Sequence, residues 1–190
     1  MSIIELDKHV TLWLNTLGNP TTDAISLFLS NARIWFPAYA IIMGIMIWRL
    51  GWKKGLVVVA SLFVTVLLTD QISAYIKDGF ERLRPAYDAW MVANGVRCPV
   101  SHGTYFFGFF SVHASNTFGF AIASVMGFRN DKKHSYRAYT AGVMIWAVLV
   151  CLSRVMLAAH YVGDILVGVC FGLIVGATVA YLTRLVIKRI

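Results

Sequence analysis

Five apolar runs, each near the length a helix needs to cross a bilayer, constrain this chain more than any other feature. They cover residues 34–50, 55–77, 113–128, 138–155 and 161–187. A helix rises 1.5 Å per residue, so about 20 residues span a hydrocarbon core of ~30 Å. Composition agrees: of 190 residues, 58% are hydrophobic and 14% charged, against about 25% charged in a soluble domain. The fold class implied is all-α, a polytopic bundle of about five transmembrane spans. It forms one membrane domain over residues 1–190, with interfacial helices in 1–32 and the transmembrane core in 33–190.

The segment before the first span is less apolar. Leu6, Val10, Trp13 and Leu17 recur at helical spacing, with Glu5, Asp7, Lys8 and Asn15 between them. That pattern predicts an amphipathic helix lying in the interface. Gly18-Asn19-Pro20 ends it, and Thr22 or Asp23 is placed to cap a second short helix over residues 24–30. The opening MSIIELDKHV has no basic stretch followed by an apolar one, so no cleavable signal is expected and an internal span does the targeting. Cys98, Cys151 and Cys170 form no Cys-x-x-Cys pair, which argues against a zinc site, and two of them sit in apolar runs, which argues against a disulfide framework.

The net charge of +8 points to cytoplasmic loops and anionic lipid headgroups rather than nucleic acid. Arg49, Lys53 and Lys54 follow the first run. Arg129, Lys132, Lys133 and Arg137 follow the third, and Arg184, Lys188 and Arg189 end the fifth. Five spans put all three groups on one side, which the positive-inside rule makes cytoplasmic. The loop 78–110 and the turn at 154–160 then lie outside. Trp, Tyr and Phe in 78–110 predict a folded loop pressed on the membrane surface.

Three polar clusters share that outer side. Lys77 to Arg84-Pro85 ends the second run, Phe110-Ser111-Val112-His113 opens the third, and Ser153-Arg154 to His160 and Asp164 joins the last two. His160 and Asp164 are spaced i, i+4 and share a helical face if a helix begins near His160. A carboxylate there fixes a neutral imidazole, leaving the other ring nitrogen as a nucleophile or base. The plainer alternative is a helix end whose polar residues reach for the interface. Together the clusters supply a nucleophile, an orienting carboxylate, an acid and cations for the oxygens of a transferring phosphoryl group.

Lys-x6-Arg-Pro, Ser-x-His and Ser-Arg-x5-His-x3-Asp, in this order and each at a span end, resemble the three-part signature of the type 2 phosphatidic acid phosphatase (PAP2) superfamily. The resemblance runs from residue 77 to 164 and into the last span. It implies that His160 is the nucleophile, forming a phosphohistidine. Asp164 orients it, and His113 is the acid for the leaving group and then the base for water. Lys77, Arg84, Arg154 and Ser111 hold the phosphate, helped by the Val112 N–H. No cofactor and no metal are implied. The second motif departs from the family's Pro-Ser-Gly-His: Phe110 loosens a preset backbone angle, and Val112 forbids a positive φ and adds bulk.

Asp70 and His102 are supporting candidates. Asp70, inside the second run, either pairs with Lys77 or Arg33 or makes a helix–helix hydrogen bond. His102 follows a serine but opens no span, which suits a loop or gate residue better than a catalyst. Glu81, Arg82 and Arg97 are either solvated loop charges or headgroup readers. The function expected is a metal-independent lipid phosphate or pyrophosphate phosphatase. It works at the outer face of a bacterial cytoplasmic membrane, with the bilayer and a lipid phosphate as partners. Undecaprenyl pyrophosphate is the favoured substrate, and phosphatidylglycerol phosphate or a lipid A phosphate the alternatives. An anion-binding or transport protein would not require the His160–Asp164 spacing. Oligomeric state is not legible.

Overall fold

The computed structural model describes residues 1–103 and 105–190, the Asp78 side chain aside. Its helices are α1 Ile3–Thr16, α2 Pro20–Ser30, α3 Phe36–Leu50, α4 Trp52–Phe80, α5 Ala89–Ala93, α6 Val112–Phe128, α7 Arg137–Met156 and α8 Val162–Ile187. Short 3-10 turns at Ala32–Trp35 and Pro85–Tyr87 join them. The all-helical class is as expected.

Among the described residues, four helical stretches are long and apolar enough to cross a membrane: Ala32–Leu50, Trp52–Lys77, Arg137–Met156 and Val162–Ile187. The fifth expected span, α6, has 17 residues and is therefore about 25 Å long. It is the axis of the bundle. α4, α7 and α8 pack around it, and its buried residues run from Ala114 to Phe128. The long helices instead turn Phe63, Leu67, Ile145, Leu166 and Ile174 outward. In lipid that is the favourable arrangement, because burial between helices must come from close packing rather than from escape from water.

Small and polar residues make that packing possible. Gly168, Gly172 and Gly176 of α8 lie on the carbonyls of Ser111, Ser115 and Gly119 of α6, where a Cβ would overlap them. α4 contributes an inward ladder at four-residue spacing: Ser61, Thr65, Thr69 and Ser73 are all buried. Thr65 donates to the Ser61 carbonyl one turn back, and Ser73 meets Ser115 at 3.0 Å.

α1 is amphipathic with its polar face inward. Leu6, Trp13 and Leu17 are exposed, while Thr11 and Asn15 are fully buried against the bundle. The second helix starts earlier than expected. Asn19, not Thr22 or Asp23, is its cap, accepting from the N–H groups of Thr21 and Thr22, with Pro20 at the first helical position. Pro suits that place because its missing N–H would have had no helical partner.

The basic groups do share one end. Arg49 reaches His134 at 2.8 Å, and Arg129, Lys132, Arg137 and Arg184 line one cavity between α6, α7 and α8. Trp48 and Trp52 are exposed near this end, as residues of an aromatic belt are. The long loop lies at the opposite end and is folded, as its composition suggested.

Candidate active site

α4 carries Lys77 in its last turn and closes at Glu81, whose φ of 45° turns the chain back. Residues 82–84 then run antiparallel to 106–108. The Gly108 N–H donates to Arg82 O at 2.8 Å, the Arg84 N–H to Phe106 O at 2.9 Å, and Leu83 bridges Phe107. The aromatic end of the loop is thus zipped to the first motif. Arg84 is 9% exposed, and its Nε donates to Phe107 O at 3.2 Å.

The third motif is built at the end of α7. Ala159 N–H donates to Arg154 O at 2.9 Å and Ala158 N–H to Val155 O at 3.0 Å, with Ala158 at a φ of 52°. This is the paired closure of a helix by a left-handed residue, here alanine rather than glycine. It swings the chain so that His160 enters the interior, 2% exposed. α8 begins only at Val162, so His160 and Asp164 do not share a helical face. Asp164 sits in the first turn, where its Oδ2 accepts the Tyr161 N–H at 3.0 Å, and His160 Nδ1 lies 3.8 Å from that oxygen.

The second motif meets the third through the backbone. Ser111 caps α6, accepting from the Ala114 N–H at 3.4 Å, and its own N–H donates to Asp164 O at 3.1 Å. Val112 is the first residue of α6 and is absent from the positive-φ positions. The expected conflict with a β-branched side chain therefore does not arise. Phe110 is buried, with Phe171 at a ring distance of 5.1 Å. His113 Nε2 lies 3.2 Å from the carbonyl oxygen of Ser30, the last residue of α2.

Burial, and then the charges of Arg154, Arg84 and Lys77, hold the His160 imidazole well below its usual range. It is a free base at neutral pH. Burial likewise lowers Arg84, and the Arg154 Nε is buried without a hydrogen-bond partner among the described residues.

Arg82 was left open by the sequence, and the structure gives it definite partners. One terminal nitrogen donates to Asp164 Oδ1, the other to Asp7 Oδ2 at 2.7 Å, and its guanidinium lies 4.2 Å from the Tyr161 ring centre. Asp7 also accepts the Gly163 N–H at 2.8 Å, and Thr11 Oγ1 accepts the Val162 N–H at 3.0 Å. Asn15 donates to the carbonyls of Val155 and Met156. The polar face of α1 thus caps the end of α7 and the start of α8 together. Its signal was present as polar residues at 7, 11 and 15, one helical face. Arg97, the other undecided arginine, pairs with Asp23 at 2.7 Å.

His102 Nε2 donates to Leu157 O at 2.7 Å, tying the loop to α7. Asp70 makes the helix–helix bond rather than an ion pair with Arg33: Asn116 Nδ2 donates to its Oδ1 at 3.3 Å. Among the described residues no ion pair joins Asp70 to Lys77.

Comparison with known proteins gives this arrangement its family. The chain is 29% identical over 169 residues to a lipid A 4'-phosphatase of Bacteroides thetaiotaomicron, covering 88% of this chain and 72% of that protein. It is 27% identical over 175 residues to a lipid A 4'-phosphatase of Porphyromonas gingivalis, covering 92% and 71%. In fold it resembles the transmembrane PAP2 type phosphatidylglycerolphosphate phosphatase from Bacillus subtilis, with TM-score 0.71 at 21% identity over 96% of this chain and 86% of that one. It also resembles Aquifex aeolicus LpxE, with TM-score 0.66 at 18% identity over 90% and 92%. The pattern of the PAP2 superfamily matches residues 54–188; the chain belongs to that superfamily and is a membrane lipid phosphatase.

Proposed function

We propose that this phosphatase removes a phosphate monoester from a glycolipid of the lipid A class at the outer face of a bacterial cytoplasmic membrane. Two relatives that match over most of their length carry that activity in their names. Undecaprenyl pyrophosphate, favoured by the sequence, finds no such support and becomes the second substrate to test. The observation that carries the chemistry is His160, 2% exposed, with its Nδ1 3.8 Å from Asp164 Oδ2 and its imidazole held below the usual range by burial and then by the charges of Arg154, Arg84 and Lys77. A phosphate oxygen offers the buried Arg154 Nε the acceptor it lacks among the described residues.

In the proposed reaction His160 Nε2 attacks phosphorus as the bond to the lipid oxygen breaks. Asp164 faces Nδ1 and stabilises the charge that develops on the ring. Lys77, Arg84 and Arg154 hold the equatorial oxygens with the Ser111 hydroxyl and the Val112 N–H. The Ser30 carbonyl only accepts, so His113 Nε2 carries hydrogen and Nδ1 is the nitrogen that exchanges a proton. Acting as the imidazolium, with hydrogen on both nitrogens, it gives its Nδ1 proton to the leaving oxygen and is left neutral; it then takes a proton from water at Nδ1 as water attacks phosphorus and the P–N bond to His160 breaks.

Phosphate release in the presence of a chelator, across a panel of lipid A, undecaprenyl and phosphatidylglycerol phosphates, tests the reading. A trapped phosphoenzyme absent from His160→Gln supports it, and near-wild-type turnover by His160→Gln ends it. Sidedness has its own test. Cys98 is exposed in the long loop and Cys151 is buried. An impermeant maleimide is expected to label Cys98 in intact spheroplasts. Labelling only after the cytoplasmic face is opened inverts the orientation.

A further inference from the structure

A cavity of about 510 Å³ opens beside His113, between α2, α3, α4, α6 and α7. That is within the range of ligand pockets, about 300–1,000 Å³. Tyr39, Phe63, Phe120 and Trp146 are among its walls. Phe36 and Phe63 line it and are each 62% exposed, so the cavity reaches the lipid-facing surface. His113 is at its outer end. Phe120 lies seven residues further along α6, about 10 Å deeper into the bundle. An acyl chain whose phosphate sits at His160 can enter here sideways from the bilayer.

Two groups in this cavity are out of keeping with a pure hydrocarbon guest. Asp70 and Asn116 both line it, and Asn116 is one turn below His113 on α6, about 4.5 Å along the axis. Thr69 Oγ1 donates to Asn116 Oδ1 at 2.7 Å, which aims Asn116 Nδ2 at Asp70. Among the described residues Asp70 receives only long bonds, from Asn116 Nδ2 at 3.3 Å and from Gln71 Nε2 at 3.4 Å. Good N–H···O bonds are about 2.7–3.2 Å, and a carboxylate offers about four acceptor sites. Asp70 retains capacity for a donor, and Asn116 keeps a second N–H.

Resting on the proposed function, we infer that Asp70 and Asn116 read a hydroxyl near the head of the substrate's acyl chain. A hydroxyl donates to Asp70 and accepts from Asn116 at once. A saturated or polyprenyl chain does neither, and it removes water from an ionisable group without replacing the lost hydrogen bonds. The pair therefore selects for hydroxyacyl lipids and against carrier polyprenyl lipids.

The test uses the full-length enzyme in detergent micelles. Its substrates are two synthetic N-acyl glucosamine phosphates that differ only in one β-hydroxyl on the acyl chain. The hydroxylated lipid is expected to have a kcat/KM about tenfold higher, the size of one hydrogen bond to a charged group. Asp70→Leu is expected to bring the ratio close to one, and Asp70→Asn to keep part of it. A wild-type ratio near one overturns the inference and needs no variant to fold. An undiminished ratio in Asp70→Leu overturns it too. Release from both lipids at equal rates removes this inference alone, whereas release from neither removes the proposed glycolipid function and the inference with it.

Discussion

Arg82 holds Asp164 by one arm and Asp7 by the other. Asp164 is fully buried and Arg82 about a quarter exposed. The guanidinium therefore neutralises the carboxylate that faces His160 and ties it to α1. Only a planar fork bridges two carboxylates in this way. Arg82→Gln is expected to lower kcat at least tenfold with a smaller change in KM, because the imidazole's orientation suffers more than phosphate binding. Arg82→Lys, which keeps a charge but loses the fork, is expected to fall between. Steady-state kinetics on one lipid phosphate decide it. A rise in KM at constant kcat would assign Arg82 to the substrate headgroup instead.

Asn15 supports the same junction from below. It accepts the Arg97 N–H at 2.7 Å, and the two hydrogens on its Nδ2 are shared among Arg97 O, Val155 O and Met156 O. Asn15→Ala leaves these buried groups short of partners, at a cost of about 1–3 kcal/mol. The expected result is a lower melting temperature in detergent, with no rescue by Asn15→Asp, whose second oxygen would face the three carbonyls without a hydrogen to give them. An unchanged melting temperature would show that α1 rests on the bundle without stabilising it.

The spans, the folded outer loop and the common end of the basic groups were legible because apolar length and charge placement set them directly. The motifs were legible because Lys77, His113 and Arg154 fall at the ends of apolar runs, with Arg84 and His160 in the segments that adjoin them. What stayed hidden depends on pairing across distance. Arg82 could not be told from a solvated charge until Asp7, 75 residues earlier, was seen beside it. The apolar residues of α1 were legible as the outward face of an interfacial helix and are exposed, but nothing local showed that Thr11 and Asn15 on the other face would be buried against the bundle. The His160–Asp164 spacing suggested a shared helical face, but Tyr161 caps α8 and moves His160 ahead of it.

The α6–α8 contact sets how Ser111 meets Asp164, and Gly172 is at its centre, against the Ser115 backbone. Gly172→Ala is expected to push the helices apart. Overpacking of this kind costs about 1–3 kcal/mol. A lower melting temperature should come with reduced activity, because the Ser111–Asp164 link lies on the same seam, one turn away on α6 and about two on α8. Gly142 is a suitable control: a Cβ there meets nothing within 4 Å, and Gly142→Ala should leave the seam intact. A stable, fully active Gly172→Ala would mean that the seam yields without moving the site.

His160 gives a pH signature of definite sign. Burial and three nearby cations hold its folded-state value well below 6.5. In the window below 6.5 the unfolded chain therefore binds more protons at this residue than the folded chain does. Stability then rises with pH through the window and levels off above about 6.5, with a slope of at most about 1.4 kcal/mol per pH unit from one group. The contribution is lost as pH falls, because the buried ring must become charged. Unfolding of wild type and His160→Gln, followed in denaturant from pH 5 to 7, is expected to show a shallower acid decline in the variant. The same neutrality keeps the nucleophile unprotonated, so the acid limb of kcat/KM arising from His160 is expected well below pH 6.5. Identical stability slopes in the two proteins would show that His160 titrates normally, and the argument for a free imidazole nucleophile would then fail.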